Sequence, residues 1–110
     1  MATRDEVAAI FPEMAQRFDP GKAEGVNAVI QFELSGDNGG SYWLKIADGT
    51  LQTGEGASEN PKMTLRSTGD DFASMMSGSL NPMQAFMMGK IKIQGDTGLA
   101  MKLIPLLNNG

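Results

Sequence analysis

The side chains that carry out most enzymatic chemistry are missing from this chain. Its 110 residues include neither histidine nor cysteine. Ser-His-Asp and Cys-His nucleophilic mechanisms, His-dependent zinc hydrolysis and thiolate metal sites each need one of these residues, so all of them are excluded. An enzyme would have to use carboxylates, lysine, serine or a cofactor, and we expect no metal and no cofactor here.

The carboxylates offer only weak catalytic candidates. Asp70 and Asp71 are adjacent, and neighbouring side chains on a helix point about 100° apart. We therefore interpret them as acids that complement the positive end of a helix dipole. Glu55 and Glu59 lie in a predicted loop and are equally ambiguous. An enzyme that uses Asp70 or Glu55 with a metal is kept as one functional hypothesis, behind the two that are given at the end of this subsection.

Three short motifs are incomplete versions of known nucleotide-, phosphate- and calcium-binding motifs. Gly54-Glu55-Gly56 lacks the third glycine of a dinucleotide-binding fingerprint. Gly89-Lys90 lacks the upstream glycine and the following Ser or Thr of a phosphate-binding loop. Asp37-Asn38-Gly39 has no twelve-residue calcium-binding frame around it, so it is interpreted as a hairpin turn.

The charge distribution argues against a nucleic-acid partner. The net charge is −4, but residues 1–60 hold ten acids and four bases, whereas residues 61–110 hold three acids and five bases. No dense basic patch results, so nucleic acid is not expected. The mildly basic C-terminal part is either a solvated surface or a contact for phosphate head groups or a phosphorylated ligand.

Nothing in the sequence directs the chain out of the cytoplasm. The first residues carry acid where a signal peptide needs base, and no apolar run approaches the roughly 20 residues of a membrane span. The absence of cysteine fits a reducing compartment. We expect one domain over residues 1–110 and a cytoplasmic location.

Methionine is concentrated in one part of the chain. Six of the nine methionines fall between residues 75 and 101. The thioether side chain is flexible and polarizable, so such a cluster indicates either a surface that adapts to varied ligands or a loosely specified core.

Helix and strand signals alternate along the chain. Thr3 to Glu6 is a capping box that opens a helix, and Pro12 should kink or split that helix near Ile10. Residues 26–34 and 42–47 alternate as a hairpin, and Asp48-Gly49 is a type I′ turn signal that leads into a third strand. Further strands are predicted over 62–67 and 90–94.

Two short helices and one unusual segment are predicted in the C-terminal part. Thr68 to Asp71 opens the first helix, and Asn81-Pro82 opens the second, whose apolar face is Met83, Phe86 and Met87. Residues 99–107 are helical in composition but apolar nearly all round. A surface helix that covers a core needs only one apolar stripe, so these residues are more apolar than such packing requires. Another helix, a bound apolar ligand, a partner subunit or a membrane must cover them.

Three sequence pieces follow one another in the C-terminal part: Asn81-Pro82, Phe-x-x-Gly-Lys-Ile-Lys-Ile-x-Gly over 86–95, and Gly-Leu-Ala-Met-Lys-Leu over 98–103. In this order and spacing they resemble the signature of the sterol carrier protein-2 (SCP-2) family. The first helix, the hairpin with Tyr42-Trp43 and the turn at Lys45–Gly49 are also similar. The resemblance therefore covers nearly the whole chain.

The resemblance implies an α+β fold. Its five-stranded mixed sheet would consist of an antiparallel three-strand meander plus two further strands, with helices packed on one face around an apolar tunnel. Family members bind fatty acids, fatty acyl-CoA, sterols or other lipids and move them between membranes or to enzymes, without catalysis. The peroxisomal C-terminal tripeptide of eukaryotic members is absent, which points to a stand-alone bacterial or archaeal version whose ligand need not be a sterol.

A lipid tunnel also accounts for the apolar faces that the residues themselves predict. Burying an acyl chain contributes about 0.8 kcal/mol per methylene, so broad specificity is expected, with Lys90, Lys92 or Lys102 free to pair with a head group. The predicted ligand-binding residues are Phe11, Met14, Phe18, Ile30, Phe32, Leu44, Phe72, Met75, Met76, Met83, Phe86, Met87, Leu99, Met101 and Leu103.

The leading hypothesis is a non-catalytic intracellular lipid-binding or transfer protein. Its partners would be a fatty acid, acyl-CoA or sterol-like ligand and, transiently, a membrane. The alternative is an interaction or dimerisation module that uses the apolar C-terminal helix and has no physiological lipid. The chain would be a monomer or a weak homodimer.

Overall fold

The computed structural model describes residues 3–17 and 27–99. Helices and strands follow one another along these residues, and residues 97–99 add a short helical segment. In chain order the elements are α1 (Arg4–Arg17), β1 (Ala28–Ser35), β2 (Gly40–Ala47), β3 (Thr50–Glu55), β4 (Met63–Thr68), α2 (Gly69–Ser77), α3 (Pro82–Met87) and β5 (Ile91–Gly95).

The strands form one mixed sheet in the order β3-β2-β1-β4-β5. β1, β2 and β3 are an antiparallel meander, β1 pairs with β4 in parallel, and β5 pairs with β4 antiparallel. Side chains alternate across this sheet, and the buried apolar ones belong to the face that also carries α1 and α2. The predicted α+β fold with its five-stranded mixed sheet is therefore confirmed.

Tight turns set the register of the meander. Asp48 and Gly49 have φ of 53° and 74°, and Ala47 pairs with Thr50 across them. Two successive positive φ values are the mark of a type I′ turn, so this sequence prediction is confirmed. At the preceding turn, a Cβ on Gly39 would lie 2.1 Å from the Leu34 carbonyl oxygen, so only glycine fits there.

The capping box at the start of α1 is formed as the sequence predicts. The Glu6 N–H donates to Thr3 Oγ1 at 3.1 Å, and the Thr3 N–H donates to Glu6 Oε1 at 3.3 Å. The expected split near Ile10 is wrong, because α1 runs unbroken from Arg4 to Arg17 with Pro12 inside it. Pro12 lies on the exposed side of the helix, where the single hydrogen bond that it removes is tolerated.

The helices α2 and α3 also begin at their predicted caps. Thr68 Oγ1 accepts from the Asp71 N–H, and Asn81 Oδ1 accepts from the N–H groups of Met83 and Gln84. α2 ends at Gly78, which has the left-handed φ of 88° that favours glycine at this position. These ends agree with the sequence because capping depends on residues three or four positions apart.

The orientation of α3 differs from the sequence prediction. Ala85 is buried in this helix, whereas Met83, Phe86 and Met87 are exposed. Periodicity shows that these three share a face, but it does not tell whether that face meets the core or the solvent. The small Ala85 side chain is the one that packs into the core cluster.

The opposite face of the sheet carries a polar loop. The Ser58 N–H and hydroxyl both donate to Gln31 Oε1, at 2.8 and 2.7 Å. Gln31 Nε2 in turn donates to Glu33 Oε2 and to the Gly56 carbonyl. Gln31 is buried by these contacts, and the loop that follows β3 is held against this face.

Candidate functional site

Four aromatic rings fill the space between α1, α2 and the centre of the sheet. Phe11 stacks on Tyr42 and on Phe72, with centroids 4.4 and 5.4 Å apart, and meets Phe32 edge-on at 5.2 Å. Phe32 and Phe72 lie 5.5 Å apart. Ring pairs at these distances are in direct contact, so this part of the interior is a packed core.

The predicted ligand-binding residues fall into three groups in the described part of the chain. Seven of them lie in the buried core: Phe11, Met14, Ile30, Phe32, Leu44, Phe72 and Met75. Two are partly buried and pack against that core: Met76 and Leu99. Three are exposed on α3: Met83, Phe86 and Met87.

The remaining three, Phe18, Met101 and Leu103, lie outside the described residues, as do Lys102 and all but the first residue of the predicted apolar segment over 99–107. Leu99 itself sits in the helical segment 97–99, where its N–H donates to Asp96 Oδ1 at 3.0 Å. The apolar tunnel stays a prediction.

The exposed apolar side chains of α3 and its C-terminal end form one surface. Met83, Phe86, Met87 and Met88 have exposed fractions of 47%, 44%, 81% and 65%. We call these four residues the α3 surface. Large apolar groups that are exposed together are costly in water and mark places where another apolar group binds.

Hydrogen bonds at both ends hold α3 in the orientation that exposes this surface. Before the helix, the Leu80 N–H donates to the Ser74 carbonyl at 3.0 Å, and Asn81 caps the first turn. After it, the Lys90 N–H donates to the Ala85 carbonyl at 2.9 Å. Because Ala85 faces the core, the helix presents its large side chains outward.

Partly buried apolar residues pack against the core cluster. Met76 on α2, Leu80 before α3, Ile93 on β5 and Leu99 all pack against the buried cluster while keeping some exposure.

The cationic residues around β5 differ in position. Lys90 lies between α3 and β5, next to the α3 surface, and is exposed. Lys92 is also exposed but alternates with the buried Ile91, so it belongs to the face of the sheet opposite α1 and α2. Of the two, Lys90 is the one that the fold brings near the apolar surface.

Neither a metal cluster nor a membrane-spanning helix is found in residues 3–17 and 27–99. No three Asp or Glu residues there are grouped to hold a metal ion. No helix in the same residues is long and apolar enough to cross a membrane.

Met88 is the residue of the α3 surface that the predicted site does not include. In the sequence, Met88 could have been found from its place directly before Gly89, a residue that commonly follows the end of a helix. In the structure Gly89 has φ of 77°, and Met88 is the last residue before it. Helical spacing alone does not find Met88, because it is the C-cap residue of α3.

Comparisons with known proteins agree on one family. The model of the SCP-2 sterol transfer family matches residues 11–108. A hydroxysteroid dehydrogenase-like protein 2 from Bos taurus is 44% identical over 87 residues, which are 77% of this chain and 21% of that protein. The chain thus spans about a fifth of the length of this curated relative.

Solved structures have the same fold. The solution structure of sterol carrier protein domain 2 of Helicoverpa armigera is 31% identical, covers 96% of this chain and 84% of its own, and has a TM-score of 0.69. The solution structure of palmitated SCP2L2 from Aedes aegypti is 22% identical, covers 92% of this chain and 90% of its own, and has a TM-score of 0.72.

Proposed function

Because the chain belongs to the SCP-2 sterol transfer family, we propose that it is a non-catalytic carrier that binds a long-chain lipid at the α3 surface. The observation that carries this proposal is the exposure of Met83, Phe86, Met87 and Met88 beside a packed core. A carrier needs apolar groups that are accessible to its ligand, and the core residues under α1 are not.

The methionines of the α3 surface suit ligands of varied shape. A thioether side chain changes rotamer at little cost and keeps favourable contact with an acyl chain or a ring system. Burial contributes about 0.8 kcal/mol for each methylene, so affinity would come from chain length. Fatty acids, fatty acyl-CoA and sterol-like lipids are therefore all candidate ligands.

Fatty acid is the class that we test first. The structure of the Aedes aegypti relative is that of a palmitated protein, which supports palmitate as a probe for this chain. In the proposed complex, Lys90 pairs with the carboxylate at the edge of the α3 surface. An exposed ion pair contributes only about 0.2–1 kcal/mol, so the head group would tune binding without dominating it.

The wider setting of this carrier is proposed from the sequence. The lack of cysteine supports a reducing compartment, and we place the carrier in the cytoplasm as a single domain over residues 1–110. Transient contact with a membrane would let the α3 surface take up or release its lipid.

Titration with palmitate tests the proposal. The double variant Met83→Ser with Met87→Ser replaces two exposed thioethers, so we expect the fold to remain and the affinity for palmitate to fall at least about tenfold. Lys45→Ser is the matched control, because Lys45 is exposed on the face of the sheet opposite α1 and α2. The absence of saturable binding by the parent chain, or an equal loss in the control, would contradict the proposal.

The same apolar surface supports the second candidate, an interaction module without a lipid. That function predicts that two chains bury the α3 surface against each other. Light scattering at increasing protein concentration distinguishes the two: a monomer that takes up palmitate supports the carrier, and a dimer that does not bind palmitate supports the module.

A further inference from the structure

A polar cavity lies at the N-terminal end of α1, away from the α3 surface. Its volume is about 350 Å³, and it is bounded by the first turns of α1, the start of β2 and the end of β3. This is at the small end of the range of about 300–1,000 Å³ for ligand pockets. We call it the α1 cavity. It shares no residue with the α3 surface.

The wall formed by β2 and β3 is held in place by backbone hydrogen bonds. The Gly56 N–H donates to the Ser41 carbonyl at 2.8 Å, and the Gly56 carbonyl accepts from Gln31 Nε2 at 2.9 Å. Gly40 keeps the wall open, because a Cβ there would lie 3.0–3.3 Å from the ring and hydroxyl of Tyr42. The cavity is therefore a feature of the folded backbone.

Tyr42 brings its hydroxyl to this wall. Its side chain is 5% exposed, and its ring is fixed by stacking on Phe11 at 4.4 Å. The hydroxyl oxygen lies beside Gly40, which also lines the cavity. In the described part of the chain this hydroxyl makes no hydrogen bond. Polar groups in protein interiors are nearly always paired with protein or with water, so a polar molecule in the cavity is a suitable partner for this hydroxyl.

Charged groups of both signs surround the same space. Arg4 and Asp5 come from α1, and Glu55 comes from the end of β3. Within residues 3–17 and 27–99, none of these three side chains is in an ion pair or a hydrogen bond. Ala8 adds the one aliphatic side chain of the lining, so the cavity is a poor site for an acyl chain.

We propose that the α1 cavity binds a small zwitterion that carries an ammonium group and a phosphate or carboxylate. The carboxylates of Glu55 and Asp5 accept hydrogen bonds from the ammonium group. The Arg4 guanidinium and the Tyr42 hydroxyl donate to the anionic group, and charge-assisted hydrogen bonds of this kind are the strong ones. The buried hydroxyl gains a partner when the ligand binds.

Titration of the isotope-labelled chain with O-phosphoethanolamine tests the site by the backbone resonances of Gly40 and Gly56. We expect saturable shifts, and weaker binding of ethanolamine or methyl phosphate, each of which carries charge of one sign only. Tyr42→Phe keeps the stacked ring and removes only the hydroxyl, so the affinity should fall about three- to tenfold. Glu55→Gln should weaken binding of the ammonium group, whereas Lys45→Gln on the far face should change nothing.

The absence of saturable shifts from O-phosphoethanolamine and from lysophosphatidylethanolamine at about 10 mM would overturn the proposal. An affinity that is the same in Tyr42→Phe, Glu55→Gln and the parent chain would overturn it as well. Binding of free O-phosphoethanolamine assigns the site to a free zwitterion. Binding that appears only with lysophosphatidylethanolamine, and that still depends on Tyr42 and Glu55, assigns it to a lipid head group.

Palmitate binding by the α1-cavity variants distinguishes this proposal from the proposed carrier function. Because Tyr42 and Glu55 do not belong to the α3 surface, Tyr42→Phe and Glu55→Gln should leave the affinity for palmitate unchanged. The α1 cavity can therefore fail its test while the carrier function stands, and the reverse also holds.

Discussion

Phe72 and Phe86 show how the same side chain takes two roles in this molecule. Phe72 is fully buried in the aromatic cluster, where it contacts Phe11 and Phe32. Phe86 is 44% exposed on the α3 surface. The first ring contributes to stability through packing, and the second is available to a ligand.

Replacing each ring by alanine should separate the two roles. Phe72→Ala leaves a cavity in the packed core and should lower the free energy of unfolding by about 3–5 kcal/mol. Phe86→Ala should lower it by less than about 1 kcal/mol, as exposed positions usually do. Urea denaturation followed by fluorescence measures both values. Similar losses in the two variants would show that Phe86 is also part of the core.

At the residue scale, sequence reasoning recovers which side chains are apolar and not which of them are accessible. Phe11, Phe72 and Phe86 all follow helical spacing, and nothing in that spacing distinguishes the buried rings from the exposed one. Accessibility depends on the neighbouring elements. The place of the Tyr42 hydroxyl at the α1 cavity has no sequence signal for the same reason, because α1, β2 and β3 together bound that cavity.

The element that decides the proposed function is α3, a helix of six residues. So short a helix is marginal by itself and depends on its cap and on tertiary contacts. Asn81 Oδ1 accepts from the Met83 N–H at 2.9 Å and from the Gln84 N–H at 3.3 Å. Loss of this cap should loosen the helix and with it the α3 surface.

Asn81→Ala removes the cap, which contributes about 1 kcal/mol at a typical helix start. Hydrogen exchange at the Met88 amide, which donates to the Gln84 carbonyl, should become about fivefold faster. Asn81→Asp is the matched control, because aspartate caps a helix as well as asparagine does, and it should keep the exchange slow. Equal exchange rates in the two variants would mean that the cap does not stabilise α3.

Elements that depend on local signals are those that the sequence predicts well. The Asp48-Gly49 turn, the Thr3 capping box and the caps at Thr68 and Asn81 involve residues within four positions of one another. The parallel pairing of β1 with β4 joins residues more than 30 positions apart, such as Ile30 and Met63. No local pattern encodes that pairing, and the family resemblance implied a mixed sheet without naming the strands that pair in parallel.

At the scale of the whole molecule, packed and exposed apolar groups are separated in the described part of the chain. The sheet and α1 enclose a packed aromatic core, while the large apolar side chains that are exposed in residues 3–17 and 27–99 belong to α3 and its C-cap. The sequence predicted one set of ligand-binding residues, because composition does not show where packing is complete. The family resemblance predicted the fold of this chain correctly. Members of a family share their fold even where the packing of individual side chains differs.

Methionine methyl resonances test the central claim that lipid binds at α3 and not in the packed core. With methyl-labelled methionine, titration with palmitate should shift the resonances of Met83, Met87 and Met88 saturably. The resonances of Met14 and Met63, whose side chains are buried in the core, should stay where they are. Saturable shifts of Met14 and Met63 with none at Met83, Met87 and Met88, or no saturable shift at any methionine, would contradict the account.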